Sequence, residues 1–197
     1  MWKSAIVAAI LGLLQVSTSE AAPVTYTFDG TGSVTLAGVL IGSTYSVVFA
    51  GNTSTIDSSD NPYFKNLLTG TFTDGAVVET ITATVESNST LANIDFYDST
   101  FTNGLGLQDN SLTGYALATS IGPIDAPPGT LTPTFGGGFF ATAGGNLVFT
   151  GSDSLSFTAD VSATPIPATL PLFATGFGAL GLLGWRRKRK NAAALAA

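Results

Sequence analysis

The chain of 197 residues contains no cysteine and no histidine. Without thiols there is no disulfide framework and no thiolate nucleophile. Without imidazole there is no Ser-His-Asp triad, and together the two absences exclude zinc or copper sites of the usual thiolate or imidazole type. Positive charge is almost as scarce. Of seven Lys and Arg residues, Lys3 stands at the N-terminus and five form the run Arg186, Arg187, Lys188, Arg189, Lys190. Lys65 is therefore the one basic residue between positions 22 and 163, where it faces twelve acidic residues. The net charge of that body is −11, which the whole-chain value of −6 conceals. Such a domain is repelled by nucleic acid and anionic surfaces and attracts cations, so no nucleic-acid partner is expected.

The same scarcity narrows catalysis. A Ser-Lys dyad would have to use Lys65, and nothing in the sequence places a particular serine beside it. A glycosidase needs two carboxylates across a sugar cleft. Glu79 and Glu86 fall on opposite faces of one strand, and no other acidic pair stands out. No catalytic residue is assigned, and the chain does not read as an enzyme.

What the body does have is a period of two. Val24–Phe28, Tyr45–Phe49, Ile81–Val85, Ile94–Phe96 and Leu155–Val161 alternate apolar residues with Ser, Thr or Asp, the pattern of half-buried strands. Turn signals punctuate them at Asp29-Gly30, Gly42-Ser43, Gly51-Asn52, Asp74-Gly75, Asn103-Gly104, Pro127-Pro128-Gly129 and Gly144-Gly145-Asn146. Asp74-Gly75 reads as a tight hairpin. No segment shows a 3.6-residue period over three turns. Nine or ten short strands predict an all-β domain over residues 22–163, an antiparallel β-sandwich with a jelly-roll order as one option and a barrel as the alternative. Thr80, Thr82 and Thr84 share a strand face like that of an ice-binding ladder, but no sequence repeat extends it to neighbouring strands. The reading kept is a solvent face of β-branched residues.

Both ends are of a different kind. Lys3 is followed by an apolar run from Ala5 to Leu14, which predicts a secretory signal peptide over residues 1–21. Ser19-Glu20-Ala21 places small residues at −3 and −1, so cleavage is expected after Ala21, since cutting after Ala22 would put Pro23 at +1. At the other end, no charge occurs from Ile166 to Trp185. At about 1.5 Å per residue that length crosses a hydrocarbon core of about 30 Å, and the expected transmembrane helix covers about 168–185. Pro171 falls where a first-turn proline is tolerated, and Trp185 where an indole meets the interface. The basic run 186–190 then acts as a stop-transfer signal on the cytoplasmic side, leaving residues 191–197 as a short tail and the body outside.

Pro165-Ile166-Pro167, the apolar Gly-rich run Gly176–Trp185 and the basic cluster, in that order, resemble the PEP-CTERM sorting signal of Gram-negative bacteria, with Ile166 in place of the middle Glu. The likeness covers about a sixth of the chain, residues 164–190 with the short tail. It implies processing by an exosortase-like membrane enzyme and association with exopolysaccharide or biofilm matrix. A sortase signal is the competing resemblance, and it fails because two extra residues separate Leu170-Pro171 from Thr175-Gly176.

Two ligand classes remain open. Asp57, Asp60 and Asn61 cluster hard oxygen donors in one loop, and Asp95 with Asp98 flank another turn, so calcium is the one metal the sequence leaves open. Neither cluster has EF-hand spacing. Tyr63, Phe64, Tyr97 and Tyr115 would offer stacking faces to a sugar if exposed. The expected function is that of an exported, transiently membrane-anchored, non-enzymatic surface or matrix protein, its body periplasmic or extracellular. The alternative is a carbohydrate-binding or carbohydrate-cleaving β-domain at the cell surface.

Overall fold

The computed structural model describes residues 21–100, 103–126 and 139–162. The predicted signal peptide up to Glu20, the sorting motif Pro165, Ile166, Pro167, the transmembrane segment and the stop-transfer residues Arg186 to Lys190 lie outside them. The chain divides into two units between Ala163 and Thr164. Among the described residues, no helix is long and apolar enough to cross a membrane.

Among the described residues nine strands follow in order: β1 Pro23–Leu36, β2 Val39–Asn52, β3 Tyr63–Asp74, β4 Val77–Asn88, β5 Asn93–Tyr97, β6 Gly104–Gln108, β7 Ile121–Ala126, β8 Phe140–Thr142 and β9 Gly145–Val161. All the pairings are antiparallel, and they form one sheet in the order β6-β5-β4-β3-β2-β1-β9-β7, with β8 on β9. The all-β antiparallel expectation is met, whereas the expected pair of packed sheets and the jelly-roll order are not. Alternation fixes which face of a strand is buried, but not which strand closes over it.

Ring contacts show how this sheet covers itself. Phe96 on β5 lies 4.8 Å from Phe28 on β1 and 5.7 Å from Phe149 on β9, centroid to centroid. In the sheet order β5 and β1 are four strand spacings apart, about 19 Å if the sheet were flat. The sheet must therefore curl until its inner face meets itself, giving a nearly closed, barrel-like form. Phe28, Phe49, Phe72, Phe96, Phe140 and Phe157 fill the interior with at most 2% exposure. Register shifts between β1 and β9, at Thr31/Gly32 and Ser33/Val34, mark bulges in their ladder, the local bends that let long strands curl.

One end of the interior is closed by the loop between β6 and β7, whose Leu112, Tyr115 and Leu117 are buried. Tyr26 Oη donates to the Leu117 carbonyl at 2.8 Å, and Ser87 Oγ to that of Tyr115 at 2.8 Å. These bonds satisfy polar groups that burial would otherwise leave costly.

Most of the turn signals fall inside or at the edge of strands, Gly51-Asn52 at the end of β2 and Gly145-Asn146 at the start of β9 among them. Asp29-Gly30 and Gly42-Ser43 lie within β1 and β2, and Gly104 opens β6. The Asp74-Gly75 signal does mark a hairpin: Asp74 pairs with Val77, and Gly75 has φ +56°. The threonine ladder also differs from expectation, because neighbouring strands do extend it. Thr80 is opposite Thr71, which is opposite Val48, then Thr27 and Thr158; Thr82 is opposite Thr69. No repeat in the sequence announces this, since antiparallel pairing aligns residues at unequal separations along the chain.

Candidate functional site

Among the described residues, a row of ionisable groups crosses the outer face of β3, β4 and β5. Lys65 is cross-strand partner to Glu86, Glu86 to Asp95, and Asp95 to Gly106 on β6. Alternation puts all four on the face away from the phenylalanines, because Val85, Ile94 and Phe96 point inward. The chain's one basic side chain outside the two ends is thus aligned with two carboxyls in a single row.

Lys65 Nζ lies 3.0 Å from Asp60 Oδ2, 3.8 Å from Glu86 Oε2 and 5.4 Å from the centre of the Tyr63 ring. Its pKa is raised, first by the hydrogen bond to Asp60, with the charges of Glu86, Asp60 and Asp57 adding to it against burial. Glu86 Oε2 also accepts a 2.6 Å hydrogen bond from the Tyr97 hydroxyl. Burial and that bond to Glu86 push the Tyr97 phenol well above its ordinary range.

Asp95 has weaker compensation. It is 7% exposed and accepts a 2.6 Å bond from Asn93 Nδ2. Its Oδ1 occupies the space that a β-carbon on Gly106 would take, so any side chain there would collide with it. Burial, and then the charge of Glu86, push the Asp95 carboxyl up to about 7. Asn93 Oδ1, beside it, is buried without a hydrogen-bond partner among the described residues.

The predicted calcium residues fall at the edge of this row. Asp57 Oδ1 accepts the Ser59 amide at 2.9 Å, closing an Asx-turn, and hydrogen bonding to Ser59 holds its carboxyl below the usual range. Asp57 also exchanges backbone bonds of 2.7 and 3.0 Å with Lys65. Asp60 pairs with the Lys65 ammonium, so a protein cation stands where a bound one would, and Asn61 is exposed. Asp98 accepts from the Thr100 amide and hydroxyl at 3.1 and 2.9 Å. No group of three His, Cys, Asp or Glu among the described residues is arranged to hold a metal ion.

The four aromatics considered as a sugar platform do not form one. Tyr97 and Tyr115 are 2% and 5% exposed, and Tyr63 and Phe64 are half-buried. A shallow open groove of about 490 Å³ lies elsewhere, lined by Asp29, Thr31, Thr44, Tyr45 and Ser154 among others. Its one aromatic residue, Tyr45, is 2% exposed and hydrogen-bonds Ser152 Oγ at 3.0 Å. As expected, Glu79 and Glu86 face opposite ways; Glu79 accepts the Gly144 amide at 3.2 Å.

Sequence reading missed the Glu86–Asp95 pair. The alternation around Ile81–Val85 and Ile94–Phe96 places both acids on the face away from the core. Pairing the two strands across the Ser89–Ala92 turn would have set them opposite. At the predicted signal-peptide cleavage site, the Ala21 carbonyl accepts from Asn52 Nδ2 at 3.3 Å, and the Ala22 amide donates to Thr53 Oγ1 at 3.0 Å.

No protein family, curated protein or solved structure matches this chain.

Proposed function

We propose that this is an exported, non-enzymatic surface or matrix protein, held transiently in the membrane by its C-terminal segment and detached by an exosortase-like enzyme. The observation that carries the non-enzymatic reading is the placing of its aromatic and acidic side chains. Tyr97 and Tyr115 are packed away from solvent, and Glu86 and Asp95 are engaged with Tyr97, Lys65 and Asn93 in the sheet. Neither arrangement offers a sugar a stacking surface or a cleft between two carboxylates, which weighs against the carbohydrate-binding and carbohydrate-cleaving alternative. The export reading rests on the apolar Ala5–Leu14 run and on the ordered motif, apolar run and basic cluster after Thr164. The positions of β1, which starts at Pro23, and β9, which ends at Val161, are compatible with a body that loses both ends.

The body's charge of −11 gives its partner a chemistry: a neutral or cation-bridged polymer, exopolysaccharide being the class the tail resemblance implies. The test is intact-mass spectrometry of the mature protein from its exporting host. The expected mass lacks residues 1–21 and everything beyond about Pro167. A mass that retains Arg186 to Lys190 would mean a permanently anchored protein and would end the processing account.

A further inference from the structure

The ladder between β4 and β5 carries two carboxyls directly opposite each other, Glu86 and Asp95, in a domain with a single lysine. Like charges in that position are destabilising even at a sheet surface. Here Asp95 is 93% buried, by its 7% exposure, so separation by water is restricted. The compensation is one-sided. Glu86 takes the Tyr97 hydroxyl at 2.6 Å and has the Lys65 ammonium at 3.8 Å, whereas Asp95 has only a neutral amide, that of Asn93, at 2.6 Å. On its other side, β6 reads Gly-Leu-Gly-Leu-Gln and brings no charge, and Gly106 offers no side chain. Among the described residues, the ionisable groups facing the pair are therefore Lys65 from β3 and Tyr97 from β5, with Asp60 drawing Lys65 away from Glu86 at 3.0 Å.

We propose that Glu86 and Asp95 form a proton-binding pair that holds β5 to β4 when it carries one proton and loosens that ladder when it loses it. Because the Lys65 ammonium and the Tyr97 hydroxyl both lie on the Glu86 side, the single proton of the pair resides on Asp95, and the pair carries one negative charge. Loss of that proton leaves two adjacent carboxylates with one shared cation on the far side of Glu86. Five pairs connect the strands, Thr84 to Asn88 with Tyr97 to Asn93, and the charged pair is the central one. Repulsion there acts on the whole ladder. The shift of Asp95 to about 7 agrees with this arrangement.

The sign follows from linkage. The folded pKa of Asp95 is raised above its ordinary value of 3.8, so the closed ladder binds the proton more tightly than the open one. The added stability is complete below that ordinary value, declines as pH rises through the interval up to about 7, and is gone above it. Closure in acid and loosening at neutral pH result.

Amide hydrogen exchange on the full chain tests this, with rates corrected for the intrinsic pH dependence of exchange. The amides of Ile94, Asp95, Phe96, Leu105 and Leu107 should lose protection between pH 4.5 and 7.5 by up to about tenfold per pH unit, relative to those of β1 and β9. Asp95→Asn should leave protection of β5 and β6 flat with pH and high at pH 7.5. Glu86→Gln, which keeps the titrating carboxyl but removes its like-charged neighbour, should shrink the change, and it serves if Asp95→Asn fails to fold. The ¹³C resonance of the Asp95 carboxyl should titrate near neutrality. Protection of β5 and β6 that does not change with pH, or a carboxyl titrating in the ordinary aspartate range, would overturn the proposal. The result is independent of export and processing, so it stands or falls apart from the mature-mass test.

Discussion

Gly30 and Gly75 show two unrelated reasons for a glycine. Gly30 sits in β1 with ordinary strand geometry, but a β-carbon there would enter the ring of Tyr45, its cross-strand partner. Tyr45 is 2% exposed, stacks near Phe72 at 6.3 Å and meets Phe149 at 5.2 Å, so it has little room to retreat. Gly30→Ala should therefore cost about 1–3 kcal/mol as an overpacking change, read from the midpoint of urea unfolding. It should also weaken the Tyr45–Ser152 hydroxyl contact. At Gly75 nothing lies within 4 Å of the added carbon, and only φ +56° matters. Gly75→Ala should cost about 1 kcal/mol and Gly75→Asn less, because asparagine tolerates the left-handed region. Equal losses for the two replacements in the same unfolding measurement would mean that backbone strain is not the cause. In sequence the two positions look alike, each an Asp-Gly pair between alternating segments. The turn at one and the close approach at the other differ only through what Tyr45 does across the strand.

At the scale of elements, the strands were legible because period-two alternation is local. Val24–Phe28, Tyr45–Phe49, Ile94–Phe96 and Leu155–Val161 all lie in strands with the apolar set inward. Their lengths were not legible. β1 runs through Asp29-Gly30 in unbroken register, and β9 continues back to Gly145 because bulges opposite Gly32 and Ser33 absorb the residues around Gly151 that read as a break. Sheet closure was equally out of reach, because the contact of Phe96 with Phe28 depends on curvature accumulated over five strands. The acidic row across β3 to β5 arose in the same way: each residue's face was readable, but the opposition of Glu86 and Asp95 required the register. Register also explains why the calcium expectation gains no geometric support at Asp57 and Asp60. The bridge between Asp57 and Lys65 brings an ammonium into the loop that was read as a cation site. Lys65→Met should remove the ion pair to Asp60 and leave Glu86 with only the Tyr97 hydroxyl. Because Lys65 is partly exposed in the pair, the expected loss of stability is small, at most about 1 kcal/mol. The measurement is a paired thermal melt at pH 7; a loss several times larger would show that Glu86 relies on Lys65 much more than the 3.8 Å separation implies.

For the whole molecule, charge is the dominant long-range quantity. A body with twelve carboxylates and one lysine repels itself when compact, and the repulsion is relieved by salt. At about 10 mM ionic strength the screening length is about 30 Å, longer than most distances across such a domain; at about 0.15 M it is about 8 Å. The melting temperature should therefore rise with sodium chloride over that range. Calcium separates screening from binding. At matched ionic strength, calcium chloride and sodium chloride should stabilise the protein alike if the carboxylates act only through their summed field. A further rise with calcium that saturates at millimolar ion would identify a bound cation, with mass action raising stability in proportion to the logarithm of its concentration above the dissociation constant. Repeating the comparison with Asp57→Asn then locates the ion: loss of the extra rise assigns it to the loop at Asp57, Asp60 and Asn61. Its persistence would move the ion to carboxylates elsewhere on the body. The same melts at pH 4.5 should show a smaller salt effect, because protonation removes part of the negative charge that the salt screens.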